Sequence, residues 1–290
     1  MKKSKITLKS SKSLKVKEEK SRGIDSPEKR LENIAKRAKE LPKEHLIKAL
    51  LDLSKKEKDR EELLEYSNRQ KEGEKLLPHQ HLGKITSKKS KSLDKIFKAL
   101  NEKISEDYLS LREELNDTLR EKLESNYEFK RIMERKLSGN RRQISELFEI
   151  VERTKRGIFE EITGMEVPKT KLEIEDGIGL FNEYEGNYNK SKNLIKIYSK
   201  PSLSFLHSRE KNNKDILNSL IHELTHQEQA RFVENREDFI IQGIKDQADI
   251  FYINNKMYLR DVSLKKYRRQ PVEEEAFKAG NELSKKLLKK

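Results

Sequence analysis

Apolar residues recur along this chain mostly at steps of three and four. Leu46, Ile47, Leu50, Leu51 and Leu53 form one such stripe. A longer one runs through Leu93, Ile96, Leu100, Ile104, Tyr108, Leu111, Leu115 and Leu119, and its other faces are nearly all charged. Ile144, Leu147, Phe148, Val151, Ile158 and Ile162 mark a third. This spacing predicts amphipathic helices, each packed along one face. The first should open at Ser26-Pro27-Glu28, with a usable N-cap and a proline at its first position, and break at Leu41-Pro42. A single long helix is expected over about 93–137, ended by Ser138-Gly139-Asn140, and another ending near Gly164. No heptad is sustained well enough for a coiled coil.

The pattern changes at Val167-Pro168. Residues 171–176 and 193–199 alternate with a period of two, which predicts short strands. Between them, 183–192 is rich in Asn, Tyr and Gly and suits a turn or loop. Helical spacing returns in 215–229 and again over 232–250. Residues 251–259 fit either a hairpin about Asn254-Asn255 or more helix, and a last helix follows Pro271. The fold class is therefore α+β. Residues 1–26 read as a disordered basic tail, 27–163 as a helical region, and 164–290 as a domain with a small sheet, a central helix and a C-terminal helix.

Composition narrows the partners. Of 290 residues, 33% are hydrophobic and 40% charged, so much of the length cannot be packed core. The formal net charge of +14 raises nucleic acid as a partner. Yet residues 1–22 hold nine Lys or Arg against two Glu, so half of the excess belongs to the tail. The basic helices are nearly balanced by Glu and carry no aromatic-spaced basic stripe, which weighs against nucleic acid. No apolar run has the length of a membrane span, and the basic N-terminus lacks the apolar stretch of a Sec-type signal. A cytoplasmic chain is expected, or one delivered into a target cell by another route. There is no Cys, so disulfides and thiolate metal sites are excluded.

The chemistry is concentrated in 215–229. On a helix, Leu217, Leu220, Ile221 and Leu224 form an apolar stripe, and His222 and His226 sit one above the other on the face roughly opposite. Two imidazoles four residues apart can share one metal ion, with Glu223 beside them where a water would be activated. This H-E-x-x-H spacing points to Zn2+ held by His222 and His226, with Glu223 as general base. A catalytic zinc needs a third protein ligand. Gln229 and Phe232 occupy the places of the Gly and His that a third-histidine pattern requires, so a downstream carboxylate is expected. On the helix after Pro271, Val272, Ala276, Ala279 and Leu283 form the apolar stripe. Glu273 and Glu275 flank that stripe and Glu274 should face solvent, so the residues leave Glu273 and Glu275 open. Tyr267 and Tyr258 are the nearest candidates for an oxyanion helper. His79, His81, His45 and His207 read as ordinary surface or helix histidines.

From about residue 165 the chain resembles zincin metallopeptidases of the minimal, glutamate-liganded kind found in bacterial and phage effector or toxin domains. The resemblance rests on Leu220-Ile-His-Glu-Leu-Thr-His-Gln227, on the strand before it, and on Tyr267-x-x-Gln-Pro-Val-Glu-Glu-Glu-Ala276. The last matches a Pro-x-Glu-x-x-Ala element, whose first Glu implies Glu273 as the metal ligand. The resemblance implies peptide-bond hydrolysis, with the strand 194–199 at the sheet edge binding an extended peptide. It does not reach the helices before 165, which are expected to position a partner or the substrate. A contrasting expectation is a basic helical adaptor or nucleic-acid-binding protein whose zincin-like domain is not catalytic.

Overall fold

The computed structural model describes residues 27–53, 87–135, 137, 140–175, 186–198, 213–258 and 264–288. The helices before the sheet are α1 (Pro27–Arg37), α2 (residues 43–53), α3 (Ser87–Asn101), α4 (Glu106–Ser125), α5 (Tyr127–Met133) and α6 (Arg141–Thr163). The strands are β1 (Lys171–Glu175), β2 (Gly186–Asn189) and β3 (Leu194–Tyr198). After them come α7 (Asn213–Glu234), α8 (Gln242–Lys256), the short α9 (Leu264–Tyr267) and α10 (Pro271–Leu287). The architecture is α+β. No helix among the described residues is long and apolar enough to cross a membrane. The tail 1–26 and His79, His81 and His207 lie outside the described residues.

The long helix expected over 93–137 is three helices. Ser105 caps α4, its side chain accepting from the Tyr108 amide, and Asn126 caps α5 by accepting from the Phe129 amide. Each cap satisfies an amide that a helix start leaves without an intrahelical partner. The unbroken three-four periodicity hides the break because the two halves serve different cores. Leu93, Ile96 and Leu100 pack with α1, α2 and the Ile250, Ile253, Met257 face of α8. Tyr108, Leu115 and Leu119 join the main core, together with α6, β3, α7 and α10. That main core continues across residue 164, where the sequence places a domain boundary. Phe148, Val151 and Phe159 of α6 are buried in the same cluster as Ile195, Leu220 and Leu283.

The alternatives for 251–259 are decided by the same two cores. Phe251 faces the main one, while Ile250, Ile253 and Met257 face the smaller one, so α8 continues to Lys256 and bridges them. Asn254, a hairpin-turn candidate in the sequence, is fully buried in this helix.

The sheet corrects the expected strand arrangement. Its order is β1-β3-β2, with β1 parallel and β2 antiparallel to β3. The strand 194–199 was expected at the edge, but β3 is central, with Ile195 and Ile197 fully buried. The edge strand beside α7 is β2, within the segment expected to be a turn or loop. Its Gly-Asn-Tyr-Asn sequence has little strand propensity of its own, and pairing with β3 supplies the ladder. A short 3₁₀ turn, Lys190–Lys192, then reverses the chain. Asn193 closes it at φ 44°, a left-handed conformation that a short polar side chain tolerates.

The helix α7 is buried on nearly every face, not only along its apolar stripe. Leu217, Leu220, Ile221 and Leu224 are in the core, but Glu223, Gln227, Glu228 and Gln229 are also buried. Its polar side is covered by α10 and by β2. Gly280 permits the close approach of α10. A Cβ there would lie 2.8 Å from the Asn218 carbonyl oxygen, nearer than real Cβ contacts allow.

Candidate metal centre

Helical spacing puts His222 and His226 on consecutive turns of α7, and α10 brings Glu273 to them. The two Nε2 atoms are 3.1 Å apart, and Glu273 Oε2 lies 3.5 Å from His222 Nε2 and 3.6 Å from His226 Nε2. Three ligands on a tetrahedral ion at about 2.0–2.1 Å are separated by roughly 3.3 Å, so the three atoms are spaced as a metal ion of that kind would need. Glu273 is 2% exposed, and its Oε2 is buried with no hydrogen-bond partner among the described residues. Facing nitrogen lone pairs and a carboxylate oxygen repel unless a cation lies among them. Their titration reflects this demand for positive charge. Burial works against a charged His226 ring, but the Glu273 carboxylate outweighs it and pushes the ring up to about 9. Burial likewise opposes ionised Glu273, yet the two imidazoles hold it well below the usual carboxylate range. The residues present fit a divalent metal.

The first turn of α10 is anchored from two other helices. Pro271 presets its first residue, but Gln270 supplies no side-chain cap. Asn254 of α8 acts instead, its Oδ1 accepting from the Val272 amide at 3.0 Å while its Nδ2 donates to Gln270 Oε1 at 3.2 Å. From α7, Gln229 Nε2 donates to the Val272 carbonyl at 2.9 Å. Glu273 itself accepts a hydrogen bond from the Tyr258 hydroxyl on its other oxygen, Oε1. Of the two tyrosine candidates, Tyr258 therefore holds Glu273. The Tyr267 ring stands edge-on to Tyr258 at 6.0 Å and to Phe277 at 6.5 Å, and Phe277 packs against His222.

Glu223 is 4% exposed and points toward β2. Burial raises its pKa above the ordinary value, while His222, His226 and a backbone hydrogen bond from Tyr188 pull the other way. A carboxylate raised in this way accepts a proton more readily than a solvated one.

The two remaining glutamates of the C-terminal trio lie elsewhere. Glu275 accepts from Tyr108 Oη at 2.5 Å, Arg112 Nε at 2.7 Å and Gln229 Nε2 at 3.1 Å. Glu274, expected to face solvent, is half-buried, accepts from the Asn101 side chain and pairs with Lys278 at 2.8 Å. His45 sits in α2, whose packing partners are α1, α3 and α8.

Sequence reasoning missed Arg112, Lys155, Glu228 and Gln229. Arg112 Nη1 lies 2.6 Å from Glu228 Oε2, and Lys155 Nζ lies 2.6 Å from Glu228 Oε1. With the partly buried Glu275 these make two positive and two negative groups where α4, α6, α7 and α10 meet, and Arg112, Lys155 and Glu228 are buried. Burial alone would raise Glu228, but Lys155 and Arg112 hold it below the ordinary range. A depressed folded-state value means that this stabilisation is complete above the unfolded carboxylate range. It is lost as pH falls through the lower folded value. Replacing Glu228 by Gln should cost about 3–5 kcal/mol, because it strands two buried cations on one remaining carboxylate. Urea unfolding at neutral pH measures this, and a loss within 1 kcal/mol, roughly that of an exposed pair, would contradict it.

Comparison with protein-family models, with curated proteins and with solved structures gives no match.

Proposed function

We propose that this protein is a zinc-dependent metallopeptidase, in which His222, His226 and Glu273 hold the metal and Glu223 is the general base. The observation that carries this reading is the His222–His226–Glu273 triangle, with His222 and Glu273 buried and His226 partly exposed, set beside a buried Glu223. Two imidazoles and one carboxylate are the donor set of a catalytic zinc with one coordination position left open. Zinc held there would supply Lewis acidity toward a water and the scissile carbonyl. Glu223 takes the proton from the attacking water and passes it to the departing amine, which balances the proton through the reaction. Tyr258 keeps Glu273 turned toward the imidazoles. Tyr267 is the remaining candidate to donate to the developing oxyanion.

A peptide substrate is favoured by the edge strand. Among the described residues no strand pairs with the outer side of β2, which lies next to α7, and the Tyr188 backbone is directed to Glu223. An extended peptide pairing with β2 would run past the general base, by β-addition to an open edge. This moves the substrate-binding role expected of 194–199 onto 186–189. Zinc analysis of the natively purified chain tests the reading. One zinc per chain is expected, with none retained by His222→Ala. A metal-free wild type after zinc supplementation would overturn it.

A further inference from the structure

Gln229 is the only side chain that joins the metal triangle to the buried charge cluster among the described contacts. Its Oε1 lies 2.8 Å from His226 Nδ1, and its Nε2 donates to the Val272 carbonyl and to Glu275 Oε2. It is 2% exposed, so water does not substitute for these partners. Both acceptors of the amide nitrogen are fixed from outside. Val272 belongs to the first turn of α10, and Glu275 is clamped by Arg112 and Tyr108.

A flipped amide would set its oxygen against a carbonyl and a carboxylate, so only one orientation is satisfied. The carbonyl oxygen must therefore face His226, and Nδ1 must be the donor. In the neutral ring that a metal requires, a donating Nδ1 leaves Nε2 with its lone pair toward His222 and Glu273. That is the form of the ring that can ligate a metal through Nε2. His222, by contrast, has no hydrogen-bond partner at Nδ1 among the described residues.

We infer that Gln229 is a positioning residue for the metal site, and that Glu275 and Arg112, the latter from a helix outside the motif-bearing region, set its amide. The inference rests on the metal reading above. It gives α4 a role in metal binding that is distinct from holding a partner or a substrate. The helical region then belongs to the metal centre, because Arg112 orients Glu275, Glu275 orients Gln229, and Gln229 orients His226.

The test is zinc affinity of the full chain, measured by competition with a chromophoric chelator, for wild type, Gln229→Met and Glu275→Gln. Methionine fills the space of Gln229 but offers Nδ1 only a weak thioether acceptor, and affinity should fall about 10–100-fold, as for other partners of metal-bound histidines. Glu275→Gln keeps the shape but puts an amide donor against one of its neighbours, and should weaken binding about tenfold. Circular dichroism checks that each variant folds. Nitrogen-15 spectra of the zinc-loaded proteins supply the readout that a purely structural role would not move. The His226 Nδ1 hydrogen should be protected from exchange in wild type and lost from the spectrum in Gln229→Met. Wild-type affinity and a protected Nδ1 hydrogen in folded Gln229→Met would overturn the inference. Should that variant not fold, unchanged affinity in Glu275→Gln overturns it instead. A wild type that binds no zinc removes the metal reading and this inference together, whereas zinc in wild type with unaffected variants removes only this inference.

Discussion

Glu273→Ala should strip the metal from the protein, while Glu275→Ala should leave one zinc per chain. The two carboxylates are two residues apart on one helical turn, and their surroundings differ completely. Glu273 presents to both imidazoles a buried oxygen with no hydrogen-bond partner among the described residues. Glu275 already receives Tyr108, Arg112 and Gln229 and has no oxygen left without a partner. Zinc sites of small proteins bind with about 10–16 kcal/mol, so one of three ligands carries about 3–5 kcal/mol, or roughly 10²–10⁴-fold in affinity. Glu275→Ala acts mainly on stability, by leaving Arg112 short of a carboxylate. Its effect on zinc should stay within the roughly 10–100-fold range of an outer-shell change. Isothermal titration of both variants against zinc decides the assignment. If Glu273→Ala keeps wild-type affinity and Glu275→Ala loses the ion, the ligand is Glu275.

Glu223→Gln should bind zinc as wild type does and yet lose hydrolysis by about 10²–10⁴-fold, the span of a general base's contribution. Glutamine preserves the volume of a side chain that is 4% exposed and packed between α7 and β2, so the fold should survive. What it lacks is a basic oxygen. Metal content and melting temperature establish that the variant is intact, and a peptide library screened against wild type supplies the substrate. Cleavage of that substrate at the wild-type rate by Glu223→Gln would assign the base elsewhere. Loss of zinc together with activity would make Glu223 a structural group.

The local geometry of the site was legible because a helix imposes it. Residues four apart share a face whatever surrounds them, so His222 and His226 had to stack, and Glu223 had to lie beside them. The helix starts at Pro27 and Pro271 were readable for the same reason, since a proline presets its own backbone angle. Gln229 carried no such signal. A glutamine three residues after His226 looks like any solvated side chain until the partners of its amide are known, and besides His226 those are Val272 and Glu275 of α10. Arg112 looked like one of many charges on the polar face of a long helix. Its burial depends on α6, α7 and α10 closing around it.

By itself, then, the sequence determined the elements with strong periodicity, the α+β class and the pair of histidines, all of which follow from interactions within a few residues. Tertiary structure alone decided the break between α3 and α4, the central place of β3 and the edge place of β2. Helical periodicity left Glu273 and Glu275 open and the resemblance implied Glu273; the packing of α10 on α7 is what brings Glu273 to the imidazoles. The physical reason is one of range. Each of these outcomes depends on contacts between residues far apart in the chain, and neither periodicity nor spacing encodes which distant face a side chain will meet.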